Sequence, residues 1–169
     1  MNDERFSFDF IEEEVRKKTF GVFTAIDAKS RPHSTGILYG VSPPDSKFAF
    51  YILTSDRYAK VRHVRRNPNV SLVVTFPHYY LRFVPANYAM FRGVADTVPF
   101  ENEDGQWAFR QKRILRMNLD TDPGGHELLF IRMSPQPTVF CYGVGIGIFE
   151  LRSSHETALY QVRIPERRL

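Results

Sequence analysis

The chain has 169 residues, of which 43% are hydrophobic and 14% aromatic, which is enough for one sizeable core and too little for two. Its charged fraction of 25% argues against a disordered protein, and its apolar stretches are far shorter than the roughly 18 to 20 residues that span a bilayer. The first residues lack the features of a secretory signal, so we expect one cytoplasmic domain over residues 1–169.

The formal net charge of +4 mildly favours anionic ligands, with a phosphorylated cofactor as the first expectation and nucleic acid as a weaker alternative. The single cysteine, Cys141, excludes an internal disulfide. Its apolar neighbours are typical of a buried structural thiol rather than a reactive one.

The first half of the chain predicts one short helix followed by three strands. Acidic residues precede basic ones over residues 10–18, an order that complements a helix dipole, and Asp9 with Glu12 resembles a capping pair. Apolar and β-branched residues predict strands over 20–27, 32–39 and 47–54, separated by polar turns. The short turns favour antiparallel pairing.

The second half predicts two further helices and the remaining strands. A helical pattern precedes Asn67 and Pro68, and a long helix is predicted despite Gly105. Gly93 is interpreted as a bulge. The predicted helices cover residues 55–67 and 101–118, and the predicted strands cover 69–76, 88–98, 127–134 and 138–142. About seven strands and two or three helices indicate a mainly β fold, a small antiparallel barrel with helices packed outside it.

The junction between the third strand and the central helix is the segment most typical of a ligand site. Free N–H groups in the first turn of a helix attract phosphate, and Thr54 and Ser55 add hydroxyl donors there. Helical spacing places Arg57 on the buried face and Lys60 beside it, so both are candidates for binding an anion. The alternative is that Ser55 or Asp56 merely caps the helix and that the basic run, which includes Arg62 and Arg66, is a solvated face.

The run LTSDRYAKVRHVRRNPNVSL over residues 53–72 resembles the signature of pyridoxamine 5'-phosphate oxidase-like flavoproteins. The hairpin formed by residues 20–26 and 31–35 is similar to the opening hairpin of that family, and FRGVA at 91–95 is similar to a later strand. The resemblance implies an antiparallel Greek-key split β-barrel of the FMN-binding type. It also implies a homodimer that binds its cofactor at the subunit interface.

The resemblance further implies roles for individual residues. Residues at the strand-to-helix junction would contact the flavin phosphate, and residues of the second strand would lie along the ribityl chain or ring. The implied phosphate ligands are Thr54, Ser55 and Lys60, and the implied second-strand residues are His33, Ser34 and Thr35. Tyr58 and Ala59 replace the serine or arginine of many relatives, so Arg57 is expected to substitute from one position away, and the deazaflavin F420 is an alternative cofactor.

Other candidate sites receive less support from the sequence. The spacing of the histidines does not match a metal-binding motif, although one of them could be a haem ligand. The five histidines are His33, His63, His78, His126 and His155. The glycine-rich residues 143–147 lack the features of a phosphate loop and suggest a close backbone approach, such as a subunit contact. The aromatic loop 77–87 is more typical of packing than of ligand stacking; if it lines the ligand cavity, Arg82 is placed to recognise an acidic substrate group.

These observations favour an FMN-dependent oxidoreductase acting on a small-molecule substrate that the sequence does not identify. The absence of a catalytic acid–base pair fits that class, because the cofactor performs the redox chemistry. Two alternatives remain open, namely an F420-dependent reductase on the same fold and a non-catalytic protein that binds or sequesters flavin or haem.

Overall fold

The computed structural model describes residues 6–77, 86–122, 124–147 and 158–169. Four α-helices and a terminal 3-10 turn accompany the strands: α1 (Phe8–Lys17), α2 (Ala59–Arg66), α3 (Glu103–Arg110), α4 (Arg113–Leu119) and the turn Glu166–Arg168. The strands are β1 (Phe20–Ile26), β2 (Pro32–Leu38), β3 (Gly40–Val41), β4 (Phe50–Ser55), β5 (Asn69–Phe76), β6 (Asn87–Pro99), β7 (Leu128–Tyr142) and β8 (Leu159–Arg163). In the part of the chain that is described, no helix is long and apolar enough to cross a membrane.

The strands form one antiparallel sheet in the order β2-β1-β5-β6-β7-β4-β3, with β8 added alongside β7. Strand β7 pairs with β6 along most of its length, with β4 through its first half and with β8 through its second half. The sheet therefore curls into a half-barrel with helices at its sides. This mainly β, antiparallel architecture is the one that the sequence predicts.

Successive side chains of a strand point to opposite faces of the sheet, so the two faces of β4 contribute to two different hydrophobic clusters. The larger cluster fills the inside of the curl and includes Phe50 and Ile52 of β4, against which α1 and α2 contribute buried residues. The neighbouring residues Ala49 and Tyr51 belong to a second cluster, which packs under α3 and α4. Because each fully buried large side chain contributes about 1.5 to 3 kcal/mol, both faces of β4 are held firmly.

The described structure confirms several expectations in detail. Strands β1 and β2 form the predicted hairpin, and β5 has the predicted bounds. The pairing of β6 with β7 shifts register between Phe91 and Gly93, as expected for a bulge at Gly93. A Cβ at Gly93 would collide with the backbone of Ser134, so only glycine allows the strands to approach there.

The predicted long helix over residues 101–118 is wrong, because it is divided into α3 and α4. Phe109 and Leu115 both pack into the cluster around Phe130. In one continuous helix, residues six positions apart would point about 120° away from each other. The break at Gln111 and Lys112 allows both side chains to reach the same cluster.

Strand β7 is continuous, whereas the sequence predicted separate strands over 127–134 and 138–142. Pro135 lies opposite Gly93 at the register shift, and a bulge is a position at which a strand tolerates proline. The fusion of those two segments reduces the seven predicted strands to six, and β3 and β8, which were not predicted, bring the described strands to eight. The predicted capping pair at the start of α1 is also wrong, because the cap is Ser7, whose hydroxyl accepts a hydrogen bond from the Phe10 N–H at 3.2 Å.

Candidate functional site

A cleft of about 290 Å³ opens where β4 meets α2. Strands β2 and β4 form one side of this β4–α2 cleft, and the α3–α4 pair with the segment after it forms the other. It is lined by Gly36, Ile37, Leu38, Ile52, Leu53, Thr54, Ser55, Arg57, Tyr58, Lys60, Phe109, Asn118, Thr121, Asp122 and Leu128. Four of the residues predicted to bind a cofactor, Thr54, Ser55, Arg57 and Lys60, are therefore brought together.

Two hydroxyl groups lie at the end of β4 in this cleft. Thr54 and Ser55 are only 5% and 4% exposed because β4 continues through both of them in its pairing with β7. Thr54 Oγ1 is buried and has no hydrogen-bond partner among the described residues. Ser55 Oγ makes one long hydrogen bond of 3.3 Å to Asp56 Oδ1. A buried hydroxyl without a partner costs free energy, so Thr54 would gain from an added hydrogen-bond acceptor.

Two cationic side chains flank the ring of Tyr58. The Arg57 guanidinium carbon and the Lys60 ammonium each lie 4.8 Å from the ring centroid, and Arg57 donates a 2.8 Å hydrogen bond to the Tyr58 hydroxyl. That hydrogen bond and the Arg57 charge lower the pKa of Tyr58. Burial lowers the pKa of Lys60, which means that its ammonium is incompletely solvated and would gain from an anionic partner.

Helix α2 begins at Ala59, four residues later than predicted, because a turn in which Tyr58 N–H donates to Ser55 O follows β4. Neither Ser55 nor Asp56 caps it; the N-cap residue is Tyr58, which makes no side-chain capping hydrogen bond. The first turn therefore keeps its positive end available beside the cleft. Arg57 precedes the helix instead of lying on its buried face.

Two carboxylates lie near the junction. The Asp56 carboxylate lies outside the lining and 3.5 Å from His126 Nδ1, but it competes for one donor of the cleft, because the Ser55 hydroxyl donates to it. Arg62 and Arg66 are exposed, as predicted for solvated charge, and Arg62 donates to the Arg57 carbonyl. Asp122 is the one carboxylate among the lining residues in the described part of the chain, and it already accepts a hydrogen bond from Gly124 N–H.

The three predicted residues of β2 do not line the β4–α2 cleft. Ser34 is exposed and shares a 2.8 Å hydrogen bond with Thr24, whereas Thr35 Oγ1 is buried with no partner in the described structure. His33 makes an edge contact with His63 of α2, with ring centroids 5.2 Å apart. Since side chains alternate along a strand, His33 and Thr35 project from the face opposite to Ser34. Their roles in cofactor binding stay predictions.

Sequence reasoning missed the residues that close the cleft on its second side, which are Phe109, Asn118 and Thr121. They come from α3, α4 and the segment after α4, which the sequence marks only as a helix and a break. No local motif signals them, because the packing of the α3–α4 pair brings them to the cleft. Arg82 lies outside the described residues.

Two other predictions about special residues can be compared with the structure. Cys141 is a buried thiol, as predicted, and burial raises its pKa to about 12. Gly143 and Gly145 have positive φ values of 67° and 76°, and the Gly143 carbonyl accepts a hydrogen bond from Asn87 Nδ2. These glycines thus form a turn that β6 holds in place.

Within the described ranges, no group of three or more histidine, cysteine or acidic side chains could hold a metal ion.

Comparison with known proteins gives fold relatives only. No protein-family model matches the chain, and no curated protein is significantly similar to it in sequence. Among solved structures, it is similar to the heme storage protein HutZ from Vibrio cholerae, with a TM-score of 0.61 and 17% identity over 82% of this chain and 96% of that one.

Two further structures are similar over comparable lengths. A Listeria innocua protein named "Putative Pyridoxamine 5'-phosphate oxidase" gives a TM-score of 0.56 and 18% identity over 79% of this chain and 95% of that one. A heme binding protein from Mycobacterium smegmatis gives a TM-score of 0.63 and 14% identity over 89% of this chain and 57% of that one. The order of the strands and these similarities show that the chain has the split-barrel fold of pyridoxamine 5'-phosphate oxidase-like proteins.

Proposed function

We propose that this protein is an FMN-dependent oxidoreductase and that the β4–α2 cleft binds the phosphate of the flavin. The observation that carries the proposal is the buried Thr54 hydroxyl, which has no partner in the described structure and lies in a cleft lined also by Ser55, Arg57 and Lys60. Hydroxyl donors, two cations and an uncapped helix start are the groups that bind a phosphate monoester.

The residues of the cleft divide into charged and apolar parts in a way that suits such a cofactor. Lys60 and Arg57 provide charge at the α2 end, while Ile52, Leu53 and Phe109 provide apolar surface. When bound, FMN would supply the electron or hydride transfer. The chain itself would neutralise the phosphate, orient the flavin and exclude water from its apolar side.

We extend the proposal to a homodimer in which a second copy completes the cofactor site. One wall of the cleft comes from β2, which ends the described sheet order, and the adjoining Phe20 is 52% exposed. An edge strand, and an exposed apolar side chain such as Phe20 of the neighbouring strand β1, both favour covering by a second copy. Analytical ultracentrifugation should give the mass of a dimer, and a monomer that binds FMN with full affinity would contradict this extension.

The phosphate assignment is tested by comparing FMN with riboflavin, which lacks the phosphate. We expect the wild-type protein to bind FMN much more tightly than riboflavin. Lys60→Ala should weaken FMN binding by about 1 to 3 kcal/mol, the value of a charge-assisted contact, while riboflavin affinity changes little. Arg66→Ala is the matched control, because Arg66 is an exposed cation on the same helix, outside the cleft.

Equal affinities for FMN and riboflavin, or the same loss in Lys60→Ala and Arg66→Ala, would reject the assignment. A colourless protein that binds only F420 would instead support the deazaflavin reductase. Oxidation of reduced nicotinamide by the FMN-loaded protein would support catalysis over storage.

Haem binding is a second candidate function. Two of the similar structures are named as heme storage and heme binding proteins, and the contact between His33 and His63 places two imidazoles together. Imidazole nitrogen is a common ligand of haem iron. Titration with haemin should then produce a Soret band whose position changes in His63→Ala. Unchanged haemin spectra in His33→Ala and His63→Ala would contradict a role for this pair.

A further inference from the structure

A second cleft, of about 310 Å³, lies on the other side of α3 and shares no lining residue with the β4–α2 cleft. Its volume is at the lower end of the range for small-molecule sites. This β3–α3 cleft is lined by Arg16, Lys18, Tyr39, Gly40, Val41, Pro44, Trp107, Ala108, Gln111, Lys112 and Leu115. The predicted cofactor residues lie elsewhere, so a ligand in this cleft would be independent of the proposed flavin site.

The base of the β3–α3 cleft is held in place by close packing. A Cβ at Gly40 would lie 2.8 Å from Ala108 Cβ, so β3 and α3 approach as closely as a glycine permits. Tyr39 is fully buried, and its hydroxyl donates a 2.8 Å hydrogen bond to the Val15 carbonyl. The cleft is therefore a preformed feature of the fold, with an apolar base that needs no rearrangement to receive a ligand.

Trp107 supplies the aromatic side of this cleft and is the only tryptophan of the chain. Its side chain is half-buried against the cluster under α3, which leaves part of the indole facing the cleft. Among the described residues its indole N–H has no hydrogen-bond partner, while its carbonyl accepts from Gln111 Nε2 at 3.1 Å. Such an indole can stack on a flat ligand and still donate one hydrogen bond.

The charged residues described in the lining of the β3–α3 cleft are all cationic. Arg16, Lys18 and Lys112 are among its lining residues, and none of the lining residues that the structure describes carries a carboxylate. Arg16 is partly neutralised by its ion pair with Glu12, and Lys18 lies 5.8 Å from the Phe76 ring centroid. The Lys112 side chain forms no ion pair and no hydrogen bond with any residue that the structure describes. The Arg16 guanidinium also donates to the Ser42 carbonyl, so an anion that enters this cleft would meet chiefly Lys112, beside an apolar surface.

We propose that the β3–α3 cleft is a second ligand site, which binds a small molecule in which an aromatic ring carries an anionic group such as a phosphate or a carboxylate. The ring would lie against Trp107 and Leu115, and the anionic group would pair with Lys112. Charge complementarity selects the anion, and the apolar base selects the ring. The break between α3 and α4 has a function here, because it places Lys112 beside Trp107.

The experiment uses the fluorescence of Trp107 in the intact protein, titrated with phenyl phosphate and with benzoate. With excitation at the long-wavelength edge of the tryptophan band, where neither probe absorbs appreciably, a saturable change in emission reports binding. We expect saturation with both anions and at least fivefold weaker binding of each in Lys112→Ala. Lys112→Arg should retain most of the affinity. Phenol and inorganic phosphate, which each carry half of the proposed chemistry, should bind at least fivefold more weakly than phenyl phosphate.

Two control variants show whether the probe binds in the β3–α3 cleft. Arg113→Ala removes an exposed neighbouring cation outside the cleft and should leave the titration unchanged. Lys60→Ala alters the proposed flavin site and should also leave it unchanged. A signal that is lost in Lys60→Ala would mean that the probe occupies the β4–α2 cleft, and this would overturn the proposal. The absence of saturation, or equal affinity in Lys112→Ala and the wild type, would overturn it as well.

Discussion

Replacing Thr54 with valine should change stability and cofactor affinity in opposite directions. Valine has nearly the shape of threonine, so the packing of β4 is kept while the hydroxyl is removed. In the ligand-free protein Thr54 Oγ1 is buried without a partner among the described residues, and such a group costs about 1 to 3 kcal/mol. Thr54→Val should therefore raise the free energy of unfolding by about 1 to 2 kcal/mol, which corresponds to a rise in Tm of roughly 2 to 8 °C.

The same substitution removes a donor to the proposed phosphate. A hydrogen bond to a charged acceptor is worth about 1.5 to 3 kcal/mol, so FMN affinity should fall roughly 10- to 150-fold. Thermal denaturation without ligand measures the first effect, and FMN titration measures the second. Thr75→Val is the matched control, since Thr75 is half-exposed on β5 and outside the cleft. A less stable Thr54→Val protein, or one that binds FMN as the wild type does, would contradict this role of the hydroxyl.

Three further predictions concern the fold. Gly93→Ala should lower the free energy of unfolding, measured by urea titration, by about 2 to 3 kcal/mol, because the added methyl group would collide with the β7 backbone. Gly147→Ala is the control: a Cβ there meets no described atom within 4 Å, so this substitution should leave the free energy of unfolding nearly unchanged. Ser30 has a φ of 59°, so Ser30→Gly should raise that free energy by about 0.5 to 1 kcal/mol; a drop in the urea midpoint would count against this strain. Hydrogen bonds from Arg31 and the Lys29 N–H lower the pKa of Asp27 from 3.8 to about 2, so its contribution is present at neutral pH and is lost as pH falls from about 4 to about 2. Asp27→Asn should be less stable than the wild type at pH 7 and equally stable near pH 2, and a constant difference across that range would exclude this role.

Much of the sheet could be predicted from the sequence because its signals are local. Alternation over residues 69–76 gives β5 with its observed bounds, and the polar residues after Ile26 mark the β1–β2 turn. The bulge at Gly93 could be predicted for the same reason, since an isolated glycine in a strand pattern usually marks one. In each case the neighbours along the chain decide the conformation.

The predictions that failed depend on contacts between distant segments. The α3–α4 break follows from the need of Phe109 and Leu115 to reach Phe130, which lies on another element. The continuity of β7 through Pro135 depends on its position opposite the bulge of β6. Neither partner is adjacent in sequence, so helical or strand periodicity alone could not reveal these features.

Part of the candidate site could likewise be predicted from the sequence, and part of it depends on contacts between distant segments. Thr54, Ser55, Arg57 and Lys60 were predicted from one continuous run of sequence, and the structure places all four around one cleft. The late start of α2 could not be predicted, because it depends on the extension of β4 along β7. The far side of the cleft was missed because it is built by the α3–α4 pair.

The proposed function depends on a flavin phosphate that binds at the end of β4 beside the start of α2. A crystal structure of the protein grown with FMN would show where that phosphate lies. We expect phosphate oxygens within hydrogen-bond distance, about 2.6 to 3.2 Å, of Thr54 Oγ1 and Lys60 Nζ. A phosphate located elsewhere on the protein, or a β4–α2 cleft that excludes the flavin, would contradict the proposed function.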